Sequence, residues 1–246
     1  MHAPPSHPPP IETDLLMLAY RSGIFPMSDG REDPDIFWVE PRMRAVIPLD
    51  GFHLSKSLRK TIRKDRFRVS CNEAFGEVIA ACAGPRVARS EQGDESGSWI
   101  SRRIEASYEA LHREGHAFSI ECWDEDALVG GLYGVGFDRV FCGESMFSLR
   151  TDASKVALAW LVATMRHGGF TLLDCQFQTE HLASMGAIEI PQETYVDALR
   201  AAQVDHSSSA SAPVSLAAAF SSLSGAAAAA GDSPGKFIAQ CLTQTS

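Results

Sequence analysis

The order of hydrophobic patterns along this chain predicts an α+β protein, a main domain of strands and helices behind a small front unit. Three stretches carry that reading. Residues 116–135 hold two apolar-rich runs joined by Asp124-Glu-Asp, which is a hairpin and therefore an antiparallel pair. Residues 139–173 run strand, helix, strand, with polar groups emerging at the strand ends. Ahead of both, Ile36-Phe-Trp-Val and Ala45-Val-Ile-Pro-Leu read as two short strands that follow a short helix.

With 246 residues, 45% of them hydrophobic, the chain can bury one large core with a small partner. The expected division is a proline-rich, unpacked leader over 1–11, a small front domain over 12–51, the main domain over 52–200, and an alanine- and serine-rich, mostly unordered tail over 201–246. No run approaches the roughly 18 apolar residues of a membrane span, and the start lacks the basic and apolar parts of a secretory signal. The expected location is the cytoplasm. Six cysteines are scattered without a Cys-x-x-Cys pair, which argues against zinc and against a disulfide framework and for reduced, mostly buried thiols.

In order, Leu15, Leu16, Leu18 and Ala19 give a helix that Gly23 and Pro26 end. Leu54 to Arg68 follows the two front strands as a helix started by Ser55. Phe67–Cys71 reads as a strand and Ala74–Cys82 as a helix with Phe75, Val78 and Ile79 inward. The polar, acidic run 89–98 reads as a surface loop, after which Ser101 caps a helix with Ile104, Tyr108 and Leu111 on one face. The second strand of the hairpin carries Gly130, Gly131 and Gly134, which calls for a bulge or the close approach of another segment. Next, Arg139–Phe147 is a strand, and Ala153–His167 is a helix with an apolar inner stripe, capped by Asp152 and stopped by Gly168-Gly169. Phe170-Thr-Leu-Leu is a strand running into Asp174-Cys-Gln. Within the tail, Pro234–Leu242 reads as one docked helix.

The unusual chemistry lies between residues 137 and 186. Glu144 sits where an apolar residue would be ordinary, and Asp174 and Gln176, two apart at a strand end, point to one face while Cys175 points to the other. Polar groups emerging at the ends of such strands mark the usual ligand position of open sheets. Charge singles out a second place. The chain carries −9 overall, which alone disfavours nucleic acid, yet residues 55–68 carry +6. Lys56, Arg59, Lys60, Arg63 and Lys64 fall on one helical face, an anion-facing surface that suits a phosphate backbone or an acidic protein.

Phe141-Cys-Gly-Glu-Ser-Met-Phe-Ser, Asp174-Cys-Gln, His181-Leu-Ala-Ser-Met-Gly-Ala, Ser98-Trp-Ile, Ser22-Gly-Ile-Phe-Pro-Met and Trp38-Val-Glu-Pro-Arg together resemble the leucyl/phenylalanyl-tRNA-protein transferases, from about Asp14 to Tyr195. The resemblance implies an acetyltransferase-like (GNAT-like) main domain, a mixed sheet flanked by helices, with a small N-terminal α/β domain ahead of it. It implies transfer of leucine or phenylalanine from charged tRNA to the N-terminal arginine or lysine of a protein, marking that protein for degradation, without cofactor, metal or membrane. By position it implies that Asp174 and Gln176 are the catalytic pair, that Glu144 and Trp99 hold the aminoacyl-adenosine end, and that Trp38 closes the site from the front. Phe141, Met146, Leu158 and Leu173 would line the side-chain pocket, and the helix at 55–64 would meet the acceptor-stem phosphates. Ser98 and Ser101 stand where the family carries threonine and asparagine, and Gln192 where arginine is common.

On the residues themselves the expected role of ionised Asp174 is to orient the Gln176 amide, whose carbonyl accepts from the attacking amine. Two other readings stay open. An acyl-CoA-dependent N-acyltransferase on the same fold would need a glycine-rich pyrophosphate cradle, but the corresponding stretch is Arg150-Thr-Asp-Ala-Ser-Lys, without glycine. A non-catalytic RNA-binding protein would use the basic face but gives no reason for Glu144, Asp174 and Gln176.

Overall fold

The computed structural model describes residues 8–84, 98–203 and 214–243. Helix α1 (Thr13–Arg21) turns Leu16, Met17 and Tyr20 inward. The short strands β1 (Phe25–Met27) and β2 (Phe37–Val39) pair antiparallel in a ribbon of their own, with Trp38 opposite Pro26. β3 (Met43–Ile47) follows, then α2 (Lys56–Arg63), whose N-cap Ser55 accepts the Leu58 N–H at 3.2 Å. Next come β4 (Arg68–Cys71), α3 (Phe75–Ala83) and α4 (Arg102–Arg113), the last capped by Ser101 as expected. The long hairpin is β5 (Ala117–Asp124) and β6 (Ala127–Phe137), continued by β7 (Val140–Ser148). The crossover helix α5 (Ala153–His167) leads to β8 (Leu172–Gln176), α6 (Glu180–Ala183), β9 (Ile188–Pro191) and α7 (Gln192–Ala202). Two further helices are α8 (Leu216–Ala229) and α9 (Pro234–Cys241).

Seven strands form one mixed sheet in the order β4-β5-β6-β7-β8-β3-β9. Every neighbouring pair is antiparallel except β7 with β8, the pair that α5 connects. Strand residues alternate between two cores, as the period of two requires. Ile47, Leu132, Phe141 and Leu173 face a core shared with α2, α5, α8 and α9, while Val46, Tyr133, Cys142 and Leu172 face one shared with α1, α3, α4 and α7. The hairpin glycines receive the compensation expected of them. A Cβ on Gly130 would stand 2.5 Å from the Ala153 Cβ, so this glycine lets the start of α5 approach the sheet.

Several expectations are corrected. β3 lies inside the main sheet, between β8 and β9, so residues 43–47 are not part of a separate front unit; four consecutive buried positions, Arg44 to Ile47, are what a central strand needs. Asp152 takes a left-handed backbone (φ 69°) and makes no side-chain cap to α5. α5 is buried nearly all round rather than along one stripe, because α8 and α9 cover its outer side; its surface is apolar enough for that. The tail is therefore helical over 216–229 and 234–241, with Leu216, Leu223 and Ile238 in the core. Ile11, expected in the unpacked leader, is buried and its N–H donates to Ser107 Oγ at 2.8 Å. The rest of the leader expectation at 1–7, and the loop expected at 89–98 apart from Ser98, lie outside the described residues. The six cysteines are free, three of them buried and three partly so.

Candidate active site

β7 and β8 pair only through Val140↔Leu172, Phe141↔Leu173 and Cys142↔Asp174. Past that point the pairing stops, and the following residues, 143–148 and 175–177, line a cavity of about 540 Å³. A cleft at the carboxyl ends of two parallel strands is where a sheet of this kind presents ligand groups. One part of its wall is aliphatic, from Leu132, Met146, Leu158, Leu161, Leu173 and Leu182; polar and aromatic groups, Trp99, Tyr133, Glu144 and Gln176 among them, supply the rest.

Asp174 lies beneath this cavity rather than in its wall, with no exposed surface. Its Oδ1 accepts from Arg44 Nε at 2.9 Å and from the Gln176 backbone N–H at 2.8 Å. Oδ2 accepts from Arg44 Nη2 at 2.6 Å and from the Tyr195 hydroxyl at 2.9 Å. Burial opposes the Arg44 charge, but the adjacent Asp174 outweighs it, and the guanidinium stays firmly protonated. Arg44 also lies over the rings of Phe25 and Tyr195 and donates to the Gly23 carbonyl. This network fixes the backbone of Gln176, which has a φ of 63°, a left-handed conformation that a non-glycine residue holds only when its surroundings impose it.

The Gln176 side chain answers to a different carboxylate. Its amide nitrogen donates to Glu144 Oε1 at 2.8 Å. Glu144 is an extra residue in its strand: Tyr133 pairs with Ser145 and Gly134 with Gly143, so β7 bulges at Glu144 and turns this side chain toward α1 and α4. There Tyr20 donates to Oε1 at 2.8 Å and Tyr108 to Oε2 at 3.0 Å, and the two tyrosine hydroxyls are also in close contact with each other. Burial pushes the Glu144 carboxyl up to about 7 against the lowering effect of Gln176, Tyr20 and Tyr108. Asp174 thus orients the backbone of Gln176 and Glu144 its amide, which corrects the expectation that Asp174 acts on the amide itself.

The structure brings Glu144, Gln176, Trp99, Met146, Leu158 and Leu173 to one cavity, with Asp174 directly behind. Cys175, expected in the core on the face opposite Gln176, packs partly buried against the α5 core and also lines the cavity. Phe141 does not line it. It precedes the point where the strands part, and it is fully buried against Gly134 and Gly136. Trp38 is not brought to the cavity either; it stays 40% exposed on β2, and Met27 of the opposite strand lines the site instead. Arg44, Tyr20, Tyr108 and Tyr195 carry no signal of the site in sequence, since each reads as an ordinary strand or helix residue. Tyr133 and His181 also line the cavity, each with a buried polar atom, Oη and Nε2, that has no hydrogen-bond partner among the described residues.

Lys56, Arg59, Lys60 and Arg63 on α2, with Lys64 at its end, are all exposed, and none forms an ion pair among the described residues. An unneutralised face of this kind is free to meet an anion.

One family profile, described as leucyl/phenylalanyl-tRNA protein transferase, matches residues 46–200, and a second, described as the N-terminal domain of that protein, matches residues 10–42. The leucyl/phenylalanyl-tRNA–protein transferase of Novosphingobium aromaticivorans is 53% identical over 265 aligned residues, covering 97% of this chain and 98% of the relative. The chain belongs to the leucyl/phenylalanyl-tRNA–protein transferase family. It is an aminoacyltransferase, acting from tRNA to protein. The transferase of Rhizorhabdus wittichii is 58% identical over 186 residues, covering 76% of this chain and 73% of that one. Among solved structures, L-PGS from Bacillus licheniformis aligns at a TM-score of 0.36 and 14% identity over 70% of this chain and 55% of that one, too distant to name the fold from. Among the described residues of the transferase, no helix is long and apolar enough to cross a membrane.

Proposed function

We propose that this transferase takes leucine or phenylalanine, and also methionine, from charged tRNA and joins it to the N-terminal arginine or lysine of acceptor proteins in the cytoplasm, marking them for degradation. The observation that carries this reading is the aliphatic chamber of Met146, Leu158, Leu161 and Leu173, which opens beside Gln176 and Glu144. An apolar side chain gains by entering such a chamber, and a polar one loses its partners to water. The sheet, with its one parallel pair parting at the site, supports the acetyltransferase-like reading of the fold.

In the reaction, the acceptor amine nitrogen attacks the ester carbonyl carbon. A C–N bond forms, the C–O bond to the terminal ribose breaks, and the proton lost by the amine balances the ribose oxygen that leaves. No covalent bond to the protein is needed. Gln176 is held at its backbone by Asp174 and at its amide nitrogen by Glu144, which leaves its carbonyl oxygen to accept from the amine and aim the lone pair at the ester. An amide is a poor base, so the proton travels on through water or the neighbouring ribose hydroxyl. Trp99 offers a plate for the terminal adenine, and the free basic face of α2 suits the acceptor-stem phosphates.

Incubation with leucyl-tRNA and a peptide beginning with arginine, followed by mass measurement, tests the reading. The expected product is the peptide plus one leucyl residue, with none formed from an acyl-CoA donor. No product from leucyl-, phenylalanyl- or methionyl-tRNA, in a folded preparation, would overturn it.

A further inference from the structure

Helices α8 and α9 lie outside the residues that the family profiles match, yet they are built into the main core. α9 packs on the basic helix α2: Leu58 and Ile62 of α2 share one apolar core with Ile238, Ala239 and Leu242. At the start of α9 the contact runs through the backbone of Gly235. The Gly235 N–H donates to Asp65 Oδ1 at 2.6 Å, and a Cβ on Gly235 would stand 1.9 Å from the Ile62 carbonyl oxygen. Where α9 ends, Arg166 donates to the Cys241 carbonyl at 3.1 Å and to the Leu49 carbonyl at 2.9 Å, which ties the last turn of α9 to the turn ahead of α2.

α2 needs such support. It is eight residues long, buries only Leu58 and Ile62, and carries like charges at helical spacing that repel one another. The positive end of the α9 dipole meets Asp65 and the carbonyl end of α2, a favourable arrangement that involves none of the five basic side chains.

We propose that α9 is a positioning element for the donor tRNA: it holds α2 so that Lys56, Arg59, Lys60 and Arg63 together meet the phosphates of the acceptor stem. This rests on the phosphate-binding reading of α2. Gly235 is the sensitive point, since any side chain there must push α9 away from the α2 backbone.

The test compares two donors, leucyl-tRNA and leucyl-adenosine, the second of which carries no acceptor-stem phosphate. Gly235→Ala, and separately Asp65→Ala, should raise KM for leucyl-tRNA roughly tenfold, the order of one lost charge-assisted contact. The salt dependence of tRNA binding should lose about one unit of slope. Transfer from leucyl-adenosine should stay at the parental value. If both folded variants match the parent toward both donors, or both lose activity equally toward the two donors, the proposal is overturned. Arg59, Lys60 and Arg63 replaced together by alanine serve as the reference. If that triple variant leaves KM for leucyl-tRNA unchanged, α2 is not the phosphate contact and the role of α9 falls with it. If the triple variant raises KM and neither Gly235→Ala nor Asp65→Ala does, only the role of α9 falls.

Discussion

Arg44 and Asp174 form a two-pronged ion pair that is almost completely withdrawn from water, Nε to Oδ1 at 2.9 Å and Nη2 to Oδ2 at 2.6 Å, across the adjacent strands β3 and β8. Its role follows from what else Asp174 touches. The same carboxylate holds the Gln176 backbone, so the pair keeps a left-handed residue in place at the rim of the cavity.

Removing one partner of a buried pair leaves the other charge uncompensated, which commonly costs about 3–5 kcal/mol. Arg44→Met should therefore lower unfolding stability by about that amount in denaturant melts. A loss below about 1 kcal/mol would mean that the carboxylate is satisfied without Arg44.

Gln176 and Asp174 should act as one unit in transfer. Loss of a well-placed hydrogen-bonding group costs on the order of 3–4 kcal/mol of transition-state stabilisation, a rate loss of roughly a hundred- to a thousandfold. Gln176→Ala and Asp174→Asn should each slow single-turnover transfer by about that much, and the double variant should be little worse than either. Their stabilities should differ: Asp174→Asn leaves Arg44 unpaired and melts early, while Gln176→Ala melts near the parent. Near-parental rates in well-folded variants would remove the pair from the mechanism.

Glu144 predicts a pH dependence of stability. Its carboxyl keeps its proton up to about 7 in the folded protein, against an ordinary value of 4.5, so between those two values the folded state binds more protons than the unfolded one. Stability contributed by this group is complete below about pH 4.5 and is lost as pH rises through about 7, by roughly 3 kcal/mol. Glu144→Gln, which does not titrate, should flatten that limb in melts measured from pH 5 to 8. A parent and variant with the same slope would place the titration elsewhere.

How much of this was legible in sequence depends on the range of each interaction. Ser55 and Ser101 read as caps in sequence because a cap is a local feature, each accepting from an N–H three residues on. The prominence of Glu144, Asp174 and Gln176 was legible because polar residues stood out in apolar strands. Arg44 was not, since its partner is 130 positions away and its strand reads in sequence as part of the front unit. The bulge that redirects Glu144 was foreshadowed only by the glycines of the facing strand. The tail misled because alanine and serine run together in disordered segments too, and only the apolar outer side of α5 reveals that something must cover it.

Selection of the transferred residue separates the cavity wall from the core behind it. Met146 lines the cavity, whereas Phe141, one layer before the strands part, is enclosed by Gly134 and Gly136. Met146→Asp puts a charge into the aliphatic chamber, where it must either remain unpaired or bring water with it, and both outcomes oppose entry of a leucyl side chain. Its transfer from leucyl-tRNA should fall at least tenfold in kcat/KM, about 1.4 kcal/mol, with only a modest change in melting. Phe141→Leu should do the reverse: removing part of a buried ring costs on the order of 1–3 kcal/mol of stability, while the chamber keeps its lining and the preference between leucyl- and phenylalanyl-tRNA stays parental. Measuring kcat/KM for both donors alongside denaturant melts on the two variants decides between them. A shifted donor preference in Phe141→Leu with unchanged stability would put Phe141 back in the pocket wall, and unimpaired leucyl transfer in folded Met146→Asp would show that the side chain of the donor lodges elsewhere.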